Sequence, residues 1–203
     1  MRIPTRKIAL DYLLEAKSLN PGPWVDHSYH VAQSAENIAK YQPALDQEQA
    51  FILGLLHDIG RSEGVYGMRH VVDGYNYMMQ EGYPDAAQIN VTHSYPIPNF
   101  MLGSGEWDGT DAELEFVAEF ISSRLYSDYD RLIQLCDSIC LPEGPVLMEK
   151  RFVDVTIRYG FNKHTIMKWH AFYTIKADIE TEIGRSIYEL MEGVVENTFR
   201  LVQ

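Results

Sequence analysis

The sequence contains few cysteines. Only two occur among the 203 residues, Cys136 and Cys140, so no disulfide scaffold can hold the fold together. They stand four positions apart in the apolar run LIQLCDSICL, which is helical spacing for packed thiols and not a CxxC redox or zinc pair. This scarcity of cysteine indicates a reducing compartment.

Long apolar runs are missing as well. No stretch approaches the roughly 18 apolar residues that a membrane span needs. The N-terminal segment MRIPTRKIALDYLLEAKSLN has neither the continuous apolar stretch nor the small-residue cleavage site of a signal peptide. We therefore predict a cytoplasmic protein that has no membrane partner.

Positive charge is also in short supply. The sequence has 17 Lys and Arg against 29 Asp and Glu, and its net charge of −12 would repel a phosphate backbone. A nucleic acid polymer is therefore excluded as the expected partner. A small phosphorylated substrate is not excluded, because a bound divalent cation would supply the local positive charge that the chain lacks.

The alternating pattern of β-strands is absent, whereas apolar residues recur at spacings of three and four. This periodicity predicts an all-α fold, a helical bundle with extra C-terminal helices. The length fits one domain over residues 1–203, with a motif-bearing core at 24–141 and a helical extension at 145–203. We expect an irregular segment at residues 95–109 and two or three helices in the extension.

Caps and breakers predict where the helices of the core begin and end. We expect helices over about 24–40, from the Asp46 cap to Gly60, over 69–81 with Gly82 as the stop, over 85–93, from the Thr110 cap, and from about Asp128.

Several histidines and one aspartate lie on the predicted inner faces of these helices. His27 shares a stripe with Val31, His57 follows Gly54, and His70 is in line with Gly74. Asp137 stands in a very apolar helix, where an ionised carboxylate is costly unless a cation or a partner compensates it. His30, His164 and His170 are predicted to lie outside any site.

Imidazole and carboxylate together are the usual ligands for iron, manganese, magnesium, nickel, cobalt or zinc. Three segments carry them, namely HSYHVAQSAENIA, GLLHDIGR and RLIQLCDSI. They resemble the first histidine, the central His-Asp pair and the last aspartate of the HD-domain superfamily, and the resemblance runs from residue 24 to 141. These are helical metalloproteins, many of them phosphohydrolases, so the resemblance implies a divalent metal cofactor with one or two ions.

By that resemblance the metal ligands are His27, His57, Asp58 and Asp137, with Asp58 the bridge if a second ion is present. Two further histidines, His70 and His93, correspond to the extra ligands of binuclear members. The short gap between Asp58 and His70 departs from the cyclic-dinucleotide phosphodiesterase branch, whose downstream HHE and GYP pattern is also not reproduced at His93. That branch is discounted.

The resemblance implies a metal-dependent phosphohydrolase acting on a small phosphomonoester or nucleotide. A bound ion lowers the pKa of a water molecule, Asp58 could accept its proton, and Arg61 is placed to hold a phosphate oxygen. Arg69 is a weaker second candidate, and Arg61 could instead be a helix-terminal cation that complements the dipole. Two other functions stay open: a diiron oxygenase with the same ligands, and a non-catalytic nucleotide-binding module.

Overall fold

Helices account for almost all of the regular structure. The computed structural model of the chain describes residues 1–64 and 67–199, and it confirms the all-α prediction. The α-helices are α1 (Arg6–Leu19), α2 (Trp24–Ala39), α3 (Gln47–Leu56), α4 (His70–Gln80), α5 (Pro84–Thr92), α6 (Asp111–Ser123), α7 (Asp128–Asp137), α8 (Met148–Tyr159), α9 (Thr165–Ile183) and α10 (Val194–Phe199). Short 3-10 helices lie at Ile59–Glu63, Phe100–Leu102 and Ile187–Leu190.

Local caps explain most of the helix boundaries. Asp46 accepts a hydrogen bond from the Gln49 amide at 2.9 Å and begins α3, and Thr110 forms a reciprocal capping box with Glu113 at the start of α6. Gly82 follows α4 with a φ of 83°, a conformation that glycine adopts without strain. These boundaries were predicted from the sequence, and the structure confirms them within one or two residues.

The predicted end of the third helix was wrong. We expected it to continue to Gly60, but α3 ends at Leu56 and a 3-10 helix follows over Ile59–Glu63. Gly60 does not have a positive φ and is not a C-terminal cap. A side chain there would collide with the backbone of His70 and Gly74, so this glycine allows α4 to approach closely.

The second departure from prediction is a small hairpin. Two-residue strands, β1 (Cys140–Leu141) and β2 (Gly144–Pro145), pair antiparallel directly after α7. Strands of this length are too short to produce an alternating pattern, and Gly144 supplies the φ of 132° that the turn requires. The hairpin reverses the chain between α7 and α8.

The main core lies where α2, α3 and α7 pack together. Val31, Leu55 and Ile133 are completely buried there, and the Cα of Gly54 approaches the Ala32 backbone so closely that an added Cβ would lie 2.8 Å away. Phe172 and Ile175 of α9 belong to the same cluster of buried side chains. The C-terminal helices therefore share a core with the motif-bearing segment.

The expected irregular segment and C-terminal helices are also observed. Residues 95–109 contain only the short 3-10 helix, and the extension forms α8, α9 and α10, although its last residues, 200–203, lie outside the described part. Both cysteines are free and buried, as packed thiols should be. Within the described residues, no helix is long and apolar enough to cross a membrane.

Candidate metal centre

Five different elements bring the predicted ligands to one place. These side chains are His27 of α2, His57 and Asp58 just after α3, His70 at the start of α4, His93 directly after α5, and Asp137 at the end of α7. The first five are buried, whereas the side chain of Asp137 is 21% exposed. The structure therefore brings together all six residues, while their role as metal ligands stays a prediction.

Asp58 occupies the middle of the cluster. Its Oδ1 lies 3.2 Å from Nε2 of His70 and 3.5 Å from Nε2 of His93, and its Oδ2 lies 3.8 Å from Nε2 of His57. Its backbone has φ −110° and ψ 15°, in the sparsely populated region where active-site residues often occur. The carboxylate therefore faces three imidazoles at once.

Among the residues that the structure describes, three overlapping sets of side chains have ligand atoms within 4.8 Å of one another. The sets are His27, His57 and Asp58; His57, His93 and Asp137; and Asp58, His70 and His93. Asp58 belongs to the first and the third set, which otherwise share no residue. This is the arrangement expected if one carboxylate bridges two ions.

Backbone carbonyls determine which imidazole nitrogens face the centre. Nδ1 of His57 is 2.7 Å from the Gly54 oxygen, Nδ1 of His70 is 2.5 Å from the Gly67 oxygen, and Nδ1 of His93 is 3.1 Å from the Ile89 oxygen. A carbonyl can only accept, so each Nδ1 carries the proton and each Nε2 presents a lone pair.

These lone pairs point at one another. Nε2 of His70 and Nε2 of His93 are 3.5 Å apart, and Nε2 of His57 is buried without a hydrogen-bond partner. The hydroxyl of Ser94 lies 3.0 Å from Nε2 of His93 and can donate to it, but leaving Nε2 of His57 buried and unpaired costs free energy, and a cation beside it removes that cost. The donor set therefore fits a divalent metal ion.

His27 departs from this pattern. Its Nε2 lies 3.0 Å from Oδ1 of Asp137 and donates to it, while its buried Nδ1 has no hydrogen-bond partner. The pair joins α2 to α7 at the more exposed end of the centre.

Two glycines allow α4 and α5 to bring their histidines close together. A side chain at Gly74 would collide with the buried Asn90 of α5, and one at Gly60 would collide with the start of α4. The backbones can therefore approach closely enough for His70 and His93 to reach the same carboxylate.

Burial and the neighbouring charges shift the protonation of the site. Burial lowers the pKa of His57 to about 4 and also lowers the pKa of His70. Burial alone would raise the pKa of Asp58, but the nearby Arg61 and imidazoles outweigh it and hold that pKa well below the usual range. Near neutral pH His57 and His70 are therefore neutral and Asp58 is ionised, which are the forms that bind metal.

The pKa of Asp137 is balanced in a similar way. Burial would raise it, but the hydrogen bond from His27 and the charge of Arg151 hold it well below the usual range. Asp137 is thus ionised as well.

Arg61, the predicted phosphate contact, lies against the central carboxylate. Its Nε donates to Oδ2 of Asp58 at 2.7 Å, and its side chain is 24% exposed. Arg61 therefore pairs with the buried carboxylate while part of its own side chain is exposed to solvent. Arg69 is directed elsewhere, with Nε 3.4 Å from Oδ1 of Asp73 in α4.

Two cations of the C-terminal helices were not predicted from the sequence. Arg151 of α8 places Nη2 3.4 Å from Oδ1 of Asp137. Lys168 of α9 is partly buried, and burial lowers its pKa to about 8 although the charge of Asp137 acts in the opposite direction. A signal was present, because Arg151 lies three positions after the buried Met148 and Lys168 lies four positions before the buried Phe172. Each cation stands on an apolar helix face.

The other histidines lie outside the centre, as expected. His170 is exposed, His30 and His164 are partly buried, and none of them belongs to the three donor sets formed by the described residues.

Comparison with known proteins gives one match. The model of a family described as HD domain matches residues 24–140, which is more than half of the chain. The matched segment contains all six residues of the cluster and ends before α8. Neither the curated proteins nor the solved structures include a match to the chain.

Proposed function

The chain belongs to the HD-domain family, and from that membership we propose that it is a metal-dependent phosphohydrolase acting on a small phosphomonoester or nucleotide. The observation that carries the proposal is the buried cluster itself, in which the unpaired Nε2 of His57 and the facing Nε2 atoms of His70 and His93 surround an ionised carboxylate. The net charge of −12 supports a small substrate and argues against a nucleic acid polymer.

The residues of the centre would bind the metal and accept a proton. His27, His57, Asp58, His70, His93 and Asp137 would hold one or two divalent ions. A bound ion supplies a water molecule of lowered pKa and neutralises charge on the phosphoryl oxygens. Asp58 would receive the proton of that water, although its low pKa makes metal ligation the larger part of its role.

Arg61 would hold a phosphate oxygen of the substrate. Its Nε donates to Asp58, and its side chain is partly exposed, which lets a ligand approach it from solvent. Guanidinium groups bind phosphate oxygens through paired, charge-assisted hydrogen bonds. The substrate phosphate would then lie next to the carboxylate that accepts the proton.

The donor set favours a transition metal over magnesium. Four imidazoles and two carboxylates suit iron, manganese, nickel, cobalt or zinc, whereas magnesium prefers an all-oxygen set. Asp58 belongs to one donor set with His27 and His57 and to another with His70 and His93, which supports a binuclear centre. We also propose a cytoplasmic location, which the free, buried cysteines support.

Elemental analysis of protein purified without chelators tests the metal centre. We expect one or two transition ions per chain in wild type, none in His57→Ala, partial loss in His93→Ala, and no loss in the control His170→Ala, whose side chain is exposed. Each metal-loaded form is then assayed against phosphomonoesters, nucleotides and phosphodiesters. Wild type that holds metal but hydrolyses none of them would contradict the proposal.

A second candidate function follows from the shared carboxylate. Two irons bridged by Asp58 would suit oxidation of a substrate with dioxygen. Oxygen uptake on substrate addition and an air-sensitive iron signal would favour this candidate, and full activity with manganese would exclude it. A non-catalytic nucleotide-binding module would instead bind nucleotide equally well in His57→Ala.

A further inference from the structure

Lys168 in α9 is a partly buried cation without a carboxylate partner. No ion pair in the described part of the chain includes it. Its Nζ hydrogen-bonds to the hydroxyl of Ser104 in the irregular segment 95–109. An ammonium has three donors, and the described residues supply one acceptor, so donors remain for another group.

The position of this ammonium relates it to the metal centre. The next residue, Trp169, stacks on Phe152 with ring centroids 5.3 Å apart, so α9 packs against the part of α8 where Arg151 contacts Asp137. Asp137 raises the pKa of the ammonium and Arg151 lowers it. Burial outweighs both and lowers the pKa of Lys168 to about 8. Partial burial makes the charged ammonium less stable, and an anion bound beside it would offset that cost.

Other cations gather at the same end of the centre. Arg151 is only 13% exposed and reaches Asp137 through Nη2 and through Nε, which donates to the Asp137 backbone oxygen at 3.3 Å. Arg61 also lies within electrostatic reach of Asp137. Asp137 is the most exposed of the predicted ligands, at 21%, so a ligand can approach the centre at this end.

We propose that Lys168 binds an anionic group of the substrate, a phosphate, at the Asp137 end of the metal centre. Arg151 holds Asp137 in position beside it. The inference rests on the proposed function and deepens it, because it assigns the substrate a phosphate that a residue beyond the matched segment 24–140 recognises. Ser104 then connects the irregular segment to the same ammonium.

Calorimetric titration of the metal-loaded protein with inorganic phosphate tests the inference. Lys168→Met keeps the length of the side chain and removes its charge. Losing one charge-assisted hydrogen bond should weaken phosphate binding about 10-fold to 100-fold. The matched control is Lys163→Met, which removes an exposed lysine just before α9 and should bind phosphate as wild type does.

Two further measurements separate binding from folding. Metal content and helical circular dichroism should be unchanged in Lys168→Met, and Lys168→Arg should recover most of the phosphate affinity. If Lys168→Met loses its fold, Lys168→Arg and Lys168→Gln take its place. Phosphate affinity equal to wild type in Lys168→Met or Lys168→Gln, or no phosphate binding by the wild type, would overturn the inference.

The same variants distinguish this inference from the proposed function. If the wild type binds phosphate but hydrolyses no substrate, and Lys168→Met binds phosphate more weakly than the wild type, the hydrolase proposal fails and the anion site stands. If the wild type hydrolyses a phosphomonoester and Lys168→Met changes neither KM nor phosphate affinity, the anion site fails and the hydrolase proposal stands.

Discussion

His27 Nε2 lies 3.0 Å from Asp137 Oδ1, although 110 positions separate the two residues in the sequence. Arg151, which follows Asp137 in the sequence, contacts the same carboxylate oxygen through Nη2 at 3.4 Å. Asp137 is therefore the point at which the helix of the first histidine, the helix of the last aspartate and the C-terminal extension meet.

Asp137→Asn should weaken metal binding without disturbing the rest of the cluster. The amide keeps the shape of the side chain but is a poor ligand for a transition ion. Metal at about a thousand times its Kd stabilises a protein by about 4 kcal/mol, and we expect most of this gain to disappear in Asp137→Asn. Thermal unfolding with and without metal measures it.

Asp154→Asn is the matched control. Its carboxylate also binds Arg151, at 3.1 Å, but it belongs to none of the donor sets found among the described residues. This variant should keep the metal-dependent rise in Tm. If Asp137→Asn gains as much stability from metal as wild type does, Asp137 is not a ligand.

Metal-free protein should lose stability as the pH falls below neutral. Burial lowers the pKa of His57 to about 4, whereas an unfolded histidine titrates near 6.5. The unfolded chain therefore binds more protons in this window, so the stability that neutral His57 contributes is present above about pH 6.5 and is lost toward pH 4.

The free energy of unfolding should drop by about 2 kcal/mol between about pH 7 and pH 5, from the shift of His57 alone. The lowered pKa of His70 adds to the fall in the same direction. Urea unfolding in the presence of chelator measures the change. His170→Gln, which removes an exposed imidazole, should show the same slope, and His57→Gln a smaller one. A flat profile in wild type would contradict the prediction.

Gly74→Ala should damage both the fold and the metal centre. The new methyl group would collide with the side chain of Asn90, which is 1% exposed and has little room to move. Overpacking of this kind costs about 1–3 kcal/mol, or roughly 2–4 °C of Tm for each kcal/mol in a chain of this size. Because α4 carries His70, metal affinity should fall as well.

Asn76→Ala supplies the comparison for this change. Asn76 is an exposed residue of the same helix, and alanine there should leave Tm and metal affinity close to wild type. A Gly74→Ala protein with unchanged Tm would show that α4 and α5 can separate without cost.

The helices were predictable where short-range chemistry determines them. The Asp46 and Thr110 caps and the stop at Gly82 act within a few residues, so their effect is visible in the sequence. The end of α3 was not predictable, because the role of Gly60 depends on a helix that begins ten positions later.

The same distinction applies to the site. The six residues of the cluster stand in motifs with helical spacing, and their assembly followed from the family resemblance. The approach of Arg151 and Lys168 depends on how the hairpin after α7 directs α8 and α9 back across the centre. No local pattern specifies that direction.

Phosphate affinity should fall as the pH rises through the pKa of Lys168, which burial lowers to about 8. Lys168 is a charged donor below this pH and a neutral amine above it. Asp137 from α7 and Arg151 from α8 act on it in opposite directions, Ser104 hydrogen-bonds to it, and Phe172 of its own helix lies 5.7 Å from its Nζ. Within this group of residues, Lys168 is the one whose pKa lies near 8.

Lys168→Arg isolates this titration from those of phosphate and of metal-bound water. Arginine keeps its charge throughout the accessible pH range, whereas the ligand and the metal titrate identically in both proteins. The ratio of the two phosphate affinities, measured by calorimetry between about pH 7 and pH 9.5, should therefore shift in favour of the arginine variant above about pH 8. A ratio that stays constant would mean that the ammonium does not contact the anion, and the extension would then serve the centre only through Arg151.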